Sequence, residues 1–502
     1  MLMKSPSLTL SEQLAQRLAQ RIRDRLLAPG ARLPSVRQCA AQQGVSPSTV
    51  VAAYDQLQAQ GLVQARKNRG FFVREVLPAR ASAESVTQSH SQPHSPDQST
   101  EHRAEQGNKQ SAVAWSAMHW FAQRAAGRGA APINATALIR GMFHKVSSKP
   151  QPGLGAFPPE WLESSFMPAA VRKVTSTRTL QAYSLQYGEP QGDTGLRQAL
   201  ARKLAALHVP ATPEHIITTV GATHALDIVS RTLLKPGDAV MVEEPGWAVE
   251  FARLSAMGMR ILSVPRGPQG PDLAVMARYC EQHAPKLYVS VSVLHNPTGY
   301  CLTPHSAHRV LQLAQQHGFY IVEDDTYSHI APEHATRLAA LDGLQRTIYV
   351  SGFAKILAPN WRVGFLAAPP ALLESLLDTK LLATLTTPAL LEKALALCME
   401  QGQLRRHAER IRTRLDGARG RSVKLALNAG CTFAAEPAGL FGWVDTGVDT
   451  DMLAQRMLDA GYLLAPGALF HAERKPSTLM RINFATTQDA AFWKTFTQLL
   501  RG

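Results

Sequence analysis

The chain has 502 residues, 45% of them hydrophobic and 18% charged, an ordinary globular composition too long for a single core. No run approaches the ~18 apolar residues of a membrane span, and Met1-Leu2-Met3-Lys4-Ser5-Pro6 leads into a polar helix pattern with no signal-peptide core. Of the net charge of +15, residues 1–80 hold twelve Lys/Arg against four acids, which favours a polyanion partner through counterion release, although a solvated basic surface has the same composition.

Thr9-x-x-Glu12 predicts a capped helix start. Leu14, Leu18, Ile22 and Leu26 then recur every fourth residue until Gly30. Ser35-x-x-Gln38 opens a second helix that Gly44 stops, and Ser46 with Pro47 opens a third that runs to about Gln60. Leu62–Arg66, a turn at Lys67-Asn68-Arg69-Gly70 and Phe71–Val73 predict a hairpin with a basic tip. This is the order of a winged helix-turn-helix, whose recognition helix enters the major groove.

The segments Gly30–Arg37, Val45–Val50 with Tyr54 and Leu57, and Gly61–Val63 resemble the GntR family. The resemblance implies a DNA-binding unit over residues 8–75. Arg37, Ser46, Ser48, Thr49 and Tyr54 would sit near DNA, with Arg66, Lys67 and Arg69 on the wing. Tyr54 alone also reads as a core aromatic, and the whole pattern also suits a small protein-interaction domain.

Residues 78–113 are rich in Ser, Gln, His, Pro and Glu with almost no large apolar residue, the composition of a flexible linker. From 115 to 502, apolar β-rich runs alternate with helical patterns. Ile216–Val220, Ala239–Val242, Leu287–Val291 and Tyr320–Val322 read as buried parallel strands. The pattern predicts an α/β domain, a mostly parallel sheet with helices on both faces. Cys39, Cys280, Cys301, Cys398 and Cys431 form no CxxC pair, so reduced thiols, a cytoplasmic location and no metal site are expected.

Four short segments in this second half carry complementary chemistry: Asn296-Pro297-Thr298-Gly299, Asp324 through Tyr327, Lys355 and Arg362. An amide, a carboxylate, an amine and a guanidinium are the groups that hold pyridoxal phosphate. The lysine forms a Schiff base and the acid keeps the ring nitrogen protonated. Gly221-Ala222-Thr223 follows a strand and opens a helix, a place where backbone N–H groups face a phosphate or where the chain simply turns.

In this order the motifs resemble fold-type I aminotransferases over residues 150–500, with a smaller C-terminal α+β part. With the head and linker they resemble the MocR subfamily of regulators. The resemblance implies Lys355 as the Schiff-base lysine, Asp324 as the partner of the ring nitrogen, and Asn296 and Tyr327 as donors to the ring oxygen. Asp325 competes with Asp324, one residue away in register. Trp247 would stack on the ring, or fill a core. Gly221, Ala222, Thr223, Ser351 and Arg362 would hold the phosphate, and Tyr187 would be contributed by a partner subunit.

Relatives carry serines where this chain has Gly352 and Ala354, so the phosphate loses two hydroxyl donors. Arg481 takes the place of the arginine that clamps a substrate carboxylate, a task suited to its bidentate fork. The expected protein is a homodimeric, DNA-binding transcriptional regulator that senses pyridoxal phosphate or an amino-acid or amine effector. An active aminotransferase carrying a DNA-binding head is the alternative, and a cofactor reservoir with a vestigial head is a third.

Overall fold

The computed structural model describes residues 9–74 and 149–501, apart from 24–26, 28–29, 67–68, 165, 177–180, 182–184 and 358. Contacts divide the chain into two units, Met1–His144 and Lys145–Gly502. The expected linker at 78–113 and Leu26 lie outside the described residues.

In the first unit the capping box forms at α1 (Leu10–Arg23). Thr9 N–H donates to Glu12 Oε2 at 2.7 Å, and Glu12 N–H donates to Thr9 Oγ1 at 3.3 Å. Ser35 caps α2 (Val36–Gln43), which ends at Gly44 in the left-handed region with φ 65°. Ser46 accepts from Thr49 N–H at 3.2 Å and caps α3 (Pro47–Ala59). Strands β1 (Val63–Arg66) and β2 (Gly70–Val73) form the hairpin, with Arg66 opposite Gly70.

Val50, Ala53, Tyr54 and Leu57 form one face of α3 and are fully buried. This corrects the placement of Tyr54 at the DNA surface. Its hydroxyl donates to Pro34 O at 2.8 Å, and its ring meets Phe71 edge-on at 5.0 Å, so it ties α3 to the wing.

The second unit holds seven strands in one sheet: β3 (Ile216–Thr219), β4 (Ala239–Glu244), β5 (Arg260–Pro265), β6 (Leu287–Ser290), β7 (Tyr320–Asp324), β8 (Thr347–Gly352) and β9 (Gly364–Ala367). Their order is β3-β9-β8-β7-β6-β4-β5. Strands β8, β7, β6, β4 and β5 are parallel neighbours, whereas β9 runs antiparallel to both β8 and β3. The run Ile216–Val220 reads as a parallel strand, but the strand it forms, β3, has the inverted β9 as its sheet partner. Burial on both faces gives the same apolar run whichever way the neighbour points.

The strands read as unbroken apolar runs because both faces are covered. Val240 and Val242 of β4 enter one core, while Ala239 and Met241 enter the core on the opposite face. The C-terminal part is a four-stranded antiparallel sheet of β10 (Thr432–Phe433), β11 (Phe441–Asp445), β12 (Ala465–Pro466) and β13 (Leu479–Asn483), in the order β10-β11-β13-β12. Arg481 sits inside this sheet, opposite Trp443 on one side and Ala465 on the other.

Candidate functional site

Strands β7 and β8 run side by side and end at Asp324 and Gly352. After Gly352 the chain makes the turn that carries Lys355 and Arg362 and returns as the inverted β9. Arg362 has φ 51°, left-handed for a residue with a side chain, a conformation that persists only where its surroundings hold it. Its Nη2 donates to Val220 O at 3.1 Å, which brings the guanidinium onto the Gly221 turn.

Gly221, at φ 85°, opens the helix Ala222–Leu233. A Cβ on Gly221 would lie 2.6 Å from Arg362 Nη2, and one on Gly364 would lie 2.5 Å from the Gly221 carbonyl carbon. The two glycines therefore let a guanidinium and a strand approach one helix N-terminus, where N–H groups and the helix dipole favour an anion. Thr223 is exposed and Ala222 half-buried at that opening. At Gly352 a Cβ would stand 3.3 Å from Ala222 N, so a serine there would crowd this backbone.

Asp324 is buried, and its Oδ1 accepts from both the backbone N–H and the hydroxyl of Thr326. Burial pushes its carboxyl up to about 6, against the pull of the Thr326 bonds. With Trp247, Glu250 and His295 it lines a small cavity of about 20 Å³. Asp325 faces elsewhere: its Oδ2 lies 2.7 Å from Arg337 Nε and accepts from Tyr349 Oη at 2.9 Å. Asp324 therefore faces the cavity, while Asp325 belongs to a buried ion pair.

Lys355 Nζ donates to Gly155 O at 2.6 Å and lies 5.8 Å from the Tyr327 ring centre. Burial, with Arg481 and Arg362 nearby, pushes its amine down to about 8, while Asp324 opposes the shift. Burial raises the Tyr327 hydroxyl above its ordinary range, so it remains a hydrogen donor. Arg481 Nη1 donates to Asn296 Oδ1 at 2.9 Å, and its guanidinium packs on the rings of Phe441 and Phe470 at 4.4 and 5.2 Å. Its Nε is buried without a hydrogen-bond partner. Such an orphaned donor costs free energy unless an acceptor reaches it.

One expected site residue is not brought in. Ser351 is fully buried and donates its one hydroxyl hydrogen to Asp325 O at 2.9 Å. It has no hydrogen left for a phosphate, so its placement as a cofactor ligand is corrected. Tyr187 is 82% exposed beside Leu185, itself 81% exposed.

Sequence reading missed Gly364, Gly153, Gly155 and Asn483. It also missed the buried Glu243, which accepts from Tyr288, Ser290 and the Val291 amide and lies 3.3 Å from Arg266. The Ser and Tyr inside the apolar run of β6 were its only local signal.

On the first unit, Arg37, Ser46, Ser48, Arg66 and Arg69 are exposed and Thr49 is half-exposed. Ser48 Oγ and Thr49 Oγ1 each lie 2.8 Å from Ser46 Oγ at the start of α3. The Arg66 guanidinium lies over Phe72 at 4.8 Å. Lys67 lies outside the described residues.

Comparison with known proteins matches both units. Residues 159–492 match the model of the family "Aminotransferase class I and II", and residues 10–73 match that of "Bacterial regulatory proteins, gntR family". The HTH-type transcriptional regulator YdcR of Escherichia coli (strain K12) is 27% identical over 484 residues, covering 94% of each chain. The 2-aminoadipate transaminase of Thermus thermophilus is 30% identical over 316 residues, 60% of this chain and 77% of that protein. Among solved structures, a multiple substrate aminotransferase from Thermococcus profundus superposes with a TM-score of 0.65 at 26% identity, covering 72% of this chain and 95% of its own. The chain belongs to the class I and II aminotransferases, a family that implies pyridoxal phosphate as the cofactor, and carries in front of that domain a gntR-type DNA-binding head, the architecture of the MocR-like regulators.

Proposed function

We propose that the protein is a transcriptional regulator that binds its operator through residues 8–75 and senses pyridoxal phosphate, or an amino-acid-type effector with it, through residues 115–502. The observation that carries this reading is the convergence of Lys355, Asp324, Asn296 and Arg481 behind a head with exposed basic residues. The cofactor fits the donor set. A buried acid with a raised pKa gains from a cationic ring nitrogen, and Gly221 lets the Arg362 guanidinium reach a helix N-terminus, two groups that favour a phosphate.

When bound, the cofactor supplies an aldehyde for amines and a ring that withdraws electrons. Lys355 would hold it covalently and Trp247 would lie against the ring. Asn296 and Tyr327 would donate to the ring oxygen, and Gly221, Ala222, Thr223 and Arg362 would bind the phosphate. Arg481 would take the effector's carboxylate.

Tyr187 of a second copy would complete the phosphate site in a homodimer. Supporting that assembly, Leu185, Tyr187, Leu382 and Leu385 are all more than half exposed, and a Cβ on Gly188 would lie 3.4 Å from Thr387 O, which places the two segments side by side. Among the described residues no helix is long and apolar enough to cross a membrane; a cytoplasmic location accords with the reading.

The deciding experiment is a mobility-shift titration of the full chain on its own upstream region, with pyridoxal phosphate and amino acids added separately and together. Affinity that changes with these additions supports sensing, and affinity indifferent to all of them removes it. Arg37→Ala is expected to lose roughly fivefold or more in operator affinity at fixed salt, the cost of about one specific base or phosphate contact (~1–3 kcal/mol). Unchanged binding would remove Arg37 from the interface. Gly364→Ala is expected to weaken pyridoxal phosphate binding by about tenfold or more, because its Cβ would push the Gly221 backbone from 2.5 Å. Equal affinity in a cofactor titration would place the phosphate elsewhere.

The retained pair of Lys355 and Arg481 also favours a second reading, transamination. Spectral turnover with amino acids at enzyme-like rates would support it.

A further inference from the structure

The segment Gln151–Phe157 lies across the site. Four consecutive carbonyls are held from within it: Gly153 O accepts from Arg481 Nη2 at 2.5 Å, Leu154 O and Ala156 O accept from Asn483 Nδ2 at 2.9 and 2.7 Å, and Gly155 O accepts from Lys355 Nζ at 2.6 Å. The other edge is tied to the C-terminal part. Gly153 N–H donates to Leu463 O at 2.8 Å, Leu463 N–H donates to Gln151 Oε1 at 2.7 Å, and Lys149 Nζ donates to Ala460 O at 2.9 Å. A Cβ on Gly153 would fall 2.5 Å from the Leu464 carbonyl carbon, so only glycine seats this close.

The same two cations, Arg481 and Lys355, are those that an amino acid and the cofactor need. A carboxylate binds a guanidinium through two charge-assisted hydrogen bonds and outcompetes a neutral peptide carbonyl at the same nitrogen. Arg481 Nε lacks a partner, so a carboxylate spanning Nε and Nη2 gains one bond outright and displaces Gly153 O from the other. Once Gly153 leaves, the segment loses its contact with Arg481 and keeps those of Asn483 with Leu154 O and Ala156 O.

We propose that Gln151–Phe157 is a strap that a carboxylate-bearing effector displaces from Arg481, and that its release is the step that changes operator affinity. This rests on reading Arg481 as the effector's carboxylate clamp. It adds a requirement: the carboxylate, and not the amine, delivers the signal. Loosening the strap without touching the clamp should then mimic the effector, since ligand affinity and strap position are linked.

The test uses the full chain loaded with pyridoxal phosphate. Its probes are maleate, with carboxylates and no amine, and isopentylamine, with an amine and no carboxylate. Hydrogen exchange of peptides covering 151–157 should rise roughly fivefold or more with maleate and stay unchanged with isopentylamine. Gln151→Ala and, independently, Gly153→Ala should show the faster exchange without ligand, bind maleate roughly fivefold more tightly, and move operator affinity in the direction that maleate moves the unaltered chain.

Maleate binding with no change in strap exchange overturns the strap, as does unaltered maleate affinity in both variants. A loosened strap that leaves operator affinity untouched overturns its link to operator binding. Arg481→Gln separates the two layers. If it abolishes maleate binding while the unaltered chain shows no strap response, the clamp stands and the strap falls. If it binds maleate normally, the clamp reading fails and the strap with it.

Discussion

A Lys355→Ala chain is expected to leave a desalting column without pyridoxal phosphate, whereas the unaltered chain should carry it through as visible absorbance. Lys355 provides the only covalent hold in the proposed site, and Gly352 and Ala354 offer the phosphate no hydroxyl. Full retention in the variant would place the covalent bond on another lysine.

The rate of cofactor capture should follow the titration of Lys355, because only the neutral amine attacks a carbonyl. Burial and the neighbouring guanidinium groups bring this amine down to about 8. The neutral form is therefore the majority above pH 8 and declines as pH falls through that value. At pH 7 roughly a tenth of the chains would carry it, some 300-fold more than for an ordinary lysine. Capture should climb roughly fivefold from pH 7 to 8 and level off by about pH 9. A rate still rising about tenfold from pH 8 to pH 9 would mark an unperturbed lysine. Arg481→Gln removes the cation that lowers Lys355 most, so the midpoint should move upward.

The outline of both units was legible because it rests on local signals. Ser35, Ser46 and the Thr9–Glu12 pair cap helices where their spacing says they should, and apolar runs mark strands covered on both faces. What stayed hidden depends on which way a side chain points or which distant strand arrives. Asp324 and Asp325 are adjacent and equally acidic, and only the layering of the sheet sends one toward Trp247 and the other toward Arg337. Ser351 sits near the Schiff-base motif in sequence, yet it turns its hydroxyl into the contact between β7 and β8.

Tyr54 was the reverse case. Its spacing with Val50, Ala53 and Leu57 already marked a buried face, and family likeness pulled it to the surface. The strap had no chance of being read. It lacks periodicity, and its decisive contacts join residues 200 and 328 positions apart.

Arg337→Ala is expected to destabilise the second unit by about 3–5 kcal/mol, because it strands a buried carboxylate. The side chains of Asp325 and Arg337 are 0% and 1% exposed, and the 2.7 Å contact between them is the carboxylate's only ionic partner in a described salt bridge. After substitution Asp325 would keep the Tyr349 hydroxyl and, as a cation, only the more weakly coupled Lys203, whose amine burial pulls down to about 7. The fall should appear in the urea midpoint of this unit's transition, with its slope unchanged.

The loss should also reach the site. Asp325 already pushes the Asp324 carboxyl upward, and without Arg337 that push is no longer offset, so cofactor affinity should drop with stability. A double variant, Asp325→Leu with Arg337→Met, decides where the cost lies. Removing both charges should restore most of the stability, since apolar replacement of a whole buried pair is often neutral or better. If the double variant is as unstable as the single one, the cost lies in the Arg337 bonds to Glu333 O and Ala335 O, at 3.1 and 3.0 Å, that hold the turn after β7 in place.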